Sequence, residues 1–198
     1  MRDIDLIKII RESLNNRKTG IIDNTLSHYV HSSVLVPILK EDSRYSVLFT
    51  RRTNKVVHHK GQISFPGGAV DIEDSSYEET AFREANEEVG LLKKDVEMLG
   101  RIDDELAVVS SFIIHPFVGE IPYPYDFRIN VHEVDSLIFI PFHVFLDKTC
   151  RYKKDFVNVD GYPYHGTNYQ YEGNIIWGAT AKIMENLIGI IEDKIKLA

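Results

Sequence analysis

The chain contains almost no cysteine. Cys150 is the only one in 198 residues, so no internal disulfide can form, and the composition suits a reducing compartment. Cys150 itself is read as a bystander. Positive charge is also in short supply: 23 Lys and Arg stand against 30 Asp and Glu, a formal net charge of -7. That balance excludes the basic footprint needed for sequence-independent binding to nucleic acid, and a phosphate-bearing ligand would need cations to mediate. No stretch approaches the roughly 18 consecutive apolar residues of a membrane helix. The N-terminus, MRDIDLIKIIRESLNN, has no uninterrupted apolar centre like that of a signal peptide, and the final Lys-Leu-Ala matches no peroxisomal address. The expectation is a cytoplasmic protein with neither a membrane nor a nucleic-acid partner; association as a homodimer stays open. Repeats, low-complexity tracts and compositional breaks are missing as well, so residues 1–198 are read as one domain.

What the sequence does have is periodic. Ile4, Ile7, Ile10 and Leu14 recur at helical spacing and predict an amphipathic helix over 3–16. SSVLVPILK and RYSVLFTRR are β-rich runs joined by a turn-like KEDS, which predicts a hairpin; GQISFPGG adds a short strand. Further strands are expected at 96–102, 111–121 and 136–142, and a helix near 179–195. Residues 143–170 read as irregular. Within and after that stretch Tyr162, Tyr164, Tyr169 and Tyr171 are read as core packing, with stacking on an adenine as the alternative. Strands on both sides of one internal helix, with helices at the chain ends, predict an α/β sandwich around a mixed sheet rather than a doubly wound parallel sheet.

The internal helix is where chemistry concentrates. Between Gly67 and Gly90 lies GGAVDIEDSSYEETAFREANEEVG, with eight carboxylates and one arginine. Ser75 and Glu78 have capping-box spacing, so the helix starts near Ser75 or Ser76 and ends near Gly90. At about 100° per residue, Tyr77, Ala81, Ala85 and Val89 form an apolar stripe beside which Glu84, Glu87 and Glu88 share one arc. Glu84 and Glu88 repel at i and i+4, and Arg83 can offset only part of this through Glu87. A solvated acidic face is the plain reading of such a run. A hard divalent cation, Mg²⁺ or Mn²⁺, would instead remove the conflict. Pro66-Gly67-Gly68 ahead of the helix permits close backbone approach.

The second half of this segment, Arg83-Glu84-Ala85-Asn86-Glu87-Glu88-Val89-Gly90-Leu91, resembles the signature box of the Nudix hydrolases. The first half departs from it. Fourteen residues separate Gly68 from Arg83 where the box has thirteen, and its first glutamate corresponds to Asp74 or Ser75 according to the end counted from. The coenzyme A pyrophosphatase branch of that family has an extra residue here and an upstream signature similar to LFTRRTNKVVHHKGQISFPGG. Thr50, Arg52, His59, Gly61, Gln62, Phe65, Pro66, Gly67 and Gly68 match it, and Val57 stands where the pattern has arginine. With SSFIIHPFVGEI, EVDSLIFIPFHVFLD and IIWGATAKIMENLI downstream, the resemblance covers residues 33–190, leaving 1–32 as an N-terminal helix and lead-in.

The resemblance implies a Nudix fold, an α/β/α sandwich around a mixed β-sheet, that hydrolyses the diphosphate of coenzyme A to adenosine 3',5'-bisphosphate and 4'-phosphopantetheine. Glu84, Glu87 and Glu88, with a carbonyl at Gly68, would hold Mg²⁺ or Mn²⁺, which neutralises diphosphate oxygens and lowers the pKa of an attacking water. Arg83 would orient the carboxylates. Glu133 is the candidate general base, with Glu105 and Glu120 as alternatives. Arg51, Arg52, His59, Lys60 and Gln62, in the densest positive stretch of the chain, are the candidate substrate contacts; a charged β-edge is the plain alternative. His58 and His59 lack the partners of a zinc set, and Ser110-Ser111 lacks a nucleophile elbow. ADP-ribose or another nucleoside diphosphate derivative is the rival substrate, and a ligand-binding regulator without turnover the rival outside enzymes.

Overall fold

The structure is a computed structural model that describes residues 5–22, 28–53, 61–153, 156–157, 163–164 and 166–197. Val57, His59 and Lys60 lie outside the described residues, as does Tyr162. Four helices are described: α1 Leu6–Asn15, α2 Tyr77–Val89, α3 His143–Leu146 and α4 Gly178–Leu197. The main sheet is built from β1 Val30–Glu41, β2 Arg44–Arg52, β3 Ile63–Ser64, β4 Gly67–Ala69, β5 Glu97–Arg101, β6 Glu105–Ala107, β7 Phe112–Ile121 and β8 Val134–Pro141.

β1 and β7 run parallel through ten paired positions at the centre, and the other pairings are antiparallel. This makes the sheet mixed, as expected from the sequence. A strand covered on both faces reads as a nearly continuous apolar run, which is why SSVLVPILK shows no alternation. Its side chains nevertheless divide by face. Leu35 and Leu39 pack with Ala81, Ala85 and Val89 of α2, while Val36 and Ile38 pack with α1 and α4 residues such as Ile10, Met184 and Leu187. Helices thus cover both sides of one sheet, giving the α/β/α sandwich.

Two expectations need correction. Residues 143–170 are not simply irregular, because they carry α3 and four short strands: β9 Arg151–Lys153, β10 Phe156–Val157, β11 Pro163–Tyr164 and β12 Thr167–Tyr171. β12 lies between β9 and β13 Asn174–Ile176. Strands of two to five residues are too short to establish a period. Tyr169 is fully buried against Phe145, as core packing requires. The second correction concerns the capping pair of α2, whose start at Ser76 and end at Gly90 are as expected. The cap is Ser76, whose Oγ accepts from the Glu79 backbone N–H at 3.2 Å, so the capping spacing belongs to Ser76 and Glu79 and not to Ser75 and Glu78.

Ser110 and Ser111 fall in the β6–β7 turn, where Ser110 donates to the Ala107 carbonyl at 3.4 Å and Ser111 adopts a positive φ of 57°. Their role is local. Cys150 is a free thiol packed against the core. No helix among the described residues is long and apolar enough to cross a membrane.

Candidate functional site

The site is assembled around the second half of α2 by four other segments: the end of β2, the glycine turn at β4, the loop before the helix and the loop before β8. Ala81, Ala85 and Val89 anchor α2 on the sheet. The same helical phase that buries them puts Glu84 and Glu88 against the sheet edge and leaves Glu87 toward water.

Arg83 organises the cluster. Its Nε donates to Asp74 Oδ1 at 3.0 Å and its Nη2 to Asp74 Oδ2 at 3.0 Å, a planar two-point clamp. Nη2 also reaches the Ala69 carbonyl at 3.0 Å, and Nη1 donates to Glu84 at 2.7 Å and Glu87 at 3.2 Å. Asp74 is therefore the residue that meets Arg83, which resolves the choice between Asp74 and Ser75. Thr80 Oγ1 donates to the same carboxylate at 2.8 Å. These hydrogen bonds, the arginine's first, hold the Asp74 carboxyl well below the usual carboxylate range, and Asp74 in return raises the Arg83 pKa.

The three glutamates are not equivalent. The Glu87 side chain is 55% exposed and that of Glu88 only 2%. Burial raises the Glu84 pKa against the opposing pull of Arg83. Burial also pushes the Glu88 carboxyl up to about 8; Arg52 pulls it down, and Glu84 and Glu133 add to the rise. One Glu88 oxygen, Oε2, is buried with no hydrogen-bond partner. Buried carboxylate oxygens are normally satisfied, so an orphan of this kind leaves a place for a water or an ion.

Gly68 meets the cluster from the other side. A Cβ built there would lie 2.5 Å from the Glu84 carboxylate, so no residue with a side chain fits without displacing it. Oxygen donors, an orphan buried oxygen and this close backbone approach together fit a hard divalent cation. Among the described residues no three His, Cys, Asp or Glu side chains already converge on one point. The three glutamate carboxylates are instead paired, Glu84 and Glu87 with Arg83, and Glu88 with Arg52 at 3.6 Å.

The remaining candidates separate cleanly. Glu133 stands in the loop before β8, near enough to raise the pKa values of both Glu84 and Glu88. Asn130, which the sequence did not single out, donates through its side chain to Glu133 at 3.2 Å and through its backbone N–H to the Glu88 carbonyl at 2.9 Å. No spacing in RINVHEV signals this. The alternatives to Glu133 lie elsewhere: Glu105 pairs with Lys182 of α4 at 2.9 Å, and Glu120 neighbours Glu97 and Arg11. Arg51 and Arg52 diverge. Arg51 Nη2 donates to Asn174 at 2.6 Å and Nη1 to the Gly61 carbonyl at 3.5 Å, away from the carboxylates. Gln62 is half-buried, and its backbone carbonyl accepts from Arg52 N at 2.9 Å.

The family model described as the NUDIX domain matches residues 30–156. The chain belongs to the Nudix family. It is 38% identical over 157 residues to "Uncharacterized Nudix hydrolase NudL" of Yersinia enterocolitica, covering 79% of each chain. It is 36% identical over 172 residues to the protein of that name from Yersinia pestis, covering 83% of this chain and 85% of the relative. A Nudix hydrolase structure from Alicyclobacillus acidocaldarius matches the fold with a TM-score of 0.56 at 16% identity, over 86% of this chain and 96% of that one. A MutT/nudix family protein from Enterococcus faecalis gives 0.56 at 12% identity, over 97% and 71%. Within the Nudix box of this chain, the segment after Gly68 closes in a tight turn. Asp71 N donates to Asp74 Oδ2 at 2.9 Å and Asp74 N to the Asp71 carbonyl at 3.1 Å. The turn delivers Asp74 to Arg83 despite the longer count.

Proposed function

We propose that this Nudix hydrolase cleaves the diphosphate bond of coenzyme A or a close derivative, in the cytoplasm, giving adenosine 3',5'-bisphosphate and 4'-phosphopantetheine. The observation that carries the hydrolytic part is the buried Glu88 with its orphan oxygen, set beside Glu84 and the Gly68 backbone. Glu84, Glu87 and Glu88 would hold Mg²⁺ or Mn²⁺. Such a cation supplies neutralisation of diphosphate charge and acidification of water. The chain's own residues supply the rest. Arg83, fixed by Asp74, orients Glu84 and Glu87 through one guanidinium nitrogen. Glu133 is the base best placed to accept a proton from water, its carboxylate oriented by Asn130. Arg52, the basic residue directed at the cluster from β2, is the contact for a substrate phosphate.

The choice of coenzyme A rests on the segment that resembles the coenzyme A branch, because metal chemistry alone treats all such diphosphates alike. Discrimination must come from groups that meet the 3'-phosphate and the pantetheine arm. The test is kcat/KM for coenzyme A and for ADP-ribose at one fixed Mg²⁺ concentration, with product masses identified. Coenzyme A should give the higher value. A preference for ADP-ribose overturns the substrate and leaves the metal site standing, whereas turnover of neither in a panel of nucleoside diphosphate derivatives overturns the enzyme reading.

A further inference from the structure

The two arginines of the site are held in different ways. Arg83 uses three nitrogens to make five hydrogen bonds, to Asp74, Ala69, Glu84 and Glu87. It is a fixed part of the scaffold. Arg52 is engaged far more loosely. Its contact with Glu88 spans 3.6 Å, beyond hydrogen-bond length, and its buried Nε has no hydrogen-bond partner. The strand beneath it is irregular too, since the β2–β8 register shifts between Arg51 and Arg52. Yet its partner is the most buried carboxylate of the three, and once ionised such a group needs a counter-ion. Among the described residues, Arg52 is the cation paired with Glu88, at a distance set by charge rather than by a hydrogen bond.

We infer that Arg52 competes with the divalent cation for Glu88, so that loading the cation displaces the guanidinium and turns it toward the substrate phosphate. The inference rests on the metal site proposed above. A divalent ion at the orphan Glu88 oxygen would place two positive charges beside a third, and of the two arginines Arg52 is the one loosely enough bound to yield. A guanidinium repelled from its carboxylate retains a planar fork of donors that matches phosphate. Cation and substrate would then bind in a favoured order, with each strengthening the other. Arg52 acts on the metal as a positioning residue and on the substrate as a contact.

The experiment is Mn²⁺ binding to the chelator-treated full chain without substrate, read from the electron paramagnetic resonance signal of free Mn²⁺. Arg52→Gln should bind Mn²⁺ at least about fivefold more tightly than wild type, the lower end of typical coupling between sites. A merely structural role for Arg52 would weaken binding instead. Arg52→Met, which keeps the packing of the stem, is read in the same way should Arg52→Gln not fold. In a Glu88→Gln background the effect of Arg52→Gln should vanish. Unchanged or weaker Mn²⁺ binding in folded Arg52→Gln or Arg52→Met overturns the competition while the site stands. If Glu84→Gln and Glu88→Gln leave Mn²⁺ binding unchanged, both the competition and the metal site fall.

Discussion

The two faces of the central sheet are packed with different chemistry. On one, α1 and α4 lie over Val36, Ile38, Val47 and Phe49, and the cluster closes around Ile10, Met184, Leu187 and Ile191 with almost no solvent exposure. On the other, the apolar cluster under α2 is smaller, and beyond it the interface turns ionic, with Asp74, Arg83, Glu84, Arg52 and Glu88 in place of aliphatic side chains. Leu48 and Arg52 show the change along a single strand. Leu48 is fully buried in the α2 cluster, and four residues further on Arg52 reaches Glu88. Burying paired charge is weak support for stability, because desolvation offsets the attraction. The α1/α4 face can therefore be assigned to holding the fold, and the far half of the α2 face to chemistry that the first face sustains.

That division can be broken most directly by a pair of substitutions with opposite outcomes. Glu88→Gln should lower kcat by more than about 100-fold, since loss of a ligand exceeds the 10–100-fold typical of losing a group that only supports one. Its thermal midpoint should remain at or above wild type, because the amide matches the shape of the buried protonated carboxyl and cannot ionise there. Leu187→Ala, on the apolar face, should cost about 2–5 kcal/mol of stability, the usual loss for a buried aliphatic truncation, and leave kcat of the folded fraction unchanged. Steady-state kinetics and urea melts on both variants decide it. A large loss of stability in Glu88→Gln, or of kcat in Leu187→Ala, would erase the distinction.

A smaller effect sharpens the comparison within the α2 face. Asp74→Asn keeps the shape of the clamp on Arg83 but removes its charge, so Arg83 should drift from Glu84 and Glu87. The expected loss in kcat is about 10–100-fold, with KM changed less. Equal changes in kcat and KM, or none, would show that Asp74 matters only to the turn.

A last effect, separate from turnover, is in the pH dependence of stability. In the folded chain burial keeps the Glu88 carboxyl protonated up to about 8, against an ordinary value of 4.5. The native state therefore binds more protons between those limits, so this contribution is fully present at low pH and lost as pH rises from about 4.5 to about 8. Chelator-treated wild type should lose on the order of a few kcal/mol across that window through this group. In Glu88→Gln the slope should flatten, which midpoints at successive pH values would show.

Much of this arrangement was legible in the sequence, for identifiable reasons. Glu84, Glu87 and Glu88 announce themselves as a group because a helix has a fixed phase that sets them on one arc. Gly68 announces itself because glycine permits the close backbone approach at which a Cβ would push the Glu84 carboxylate aside. What was not legible depends on how far side chains reach. Counting could not choose between Asp74 and Ser75, and the turn at Asp71 made the choice. Arg51 and Arg52 carry the same chemistry in adjacent positions, yet one serves Asn174 and the other Glu88 because successive strand residues face opposite ways. The short strands after His143 lacked the length for any pattern, and Asn130 acts through a loop whose position only the folded chain defines.

The end of α2 carries one more consequence. The Glu88 and Val89 carbonyls, which an isolated helix would leave to solvent, accept from the Asn130 and Arg128 backbone N–H groups, both at 2.9 Å. The loop bearing Glu133 is thereby stitched to the helical turn bearing Glu88. Neither can open alone without orphaning the other's backbone, so the two behave as one cooperative unit in local unfolding. A fluctuation that loosens the candidate base also loosens a candidate ligand, and amide exchange at Arg128 and Asn130 becomes a reporter on both.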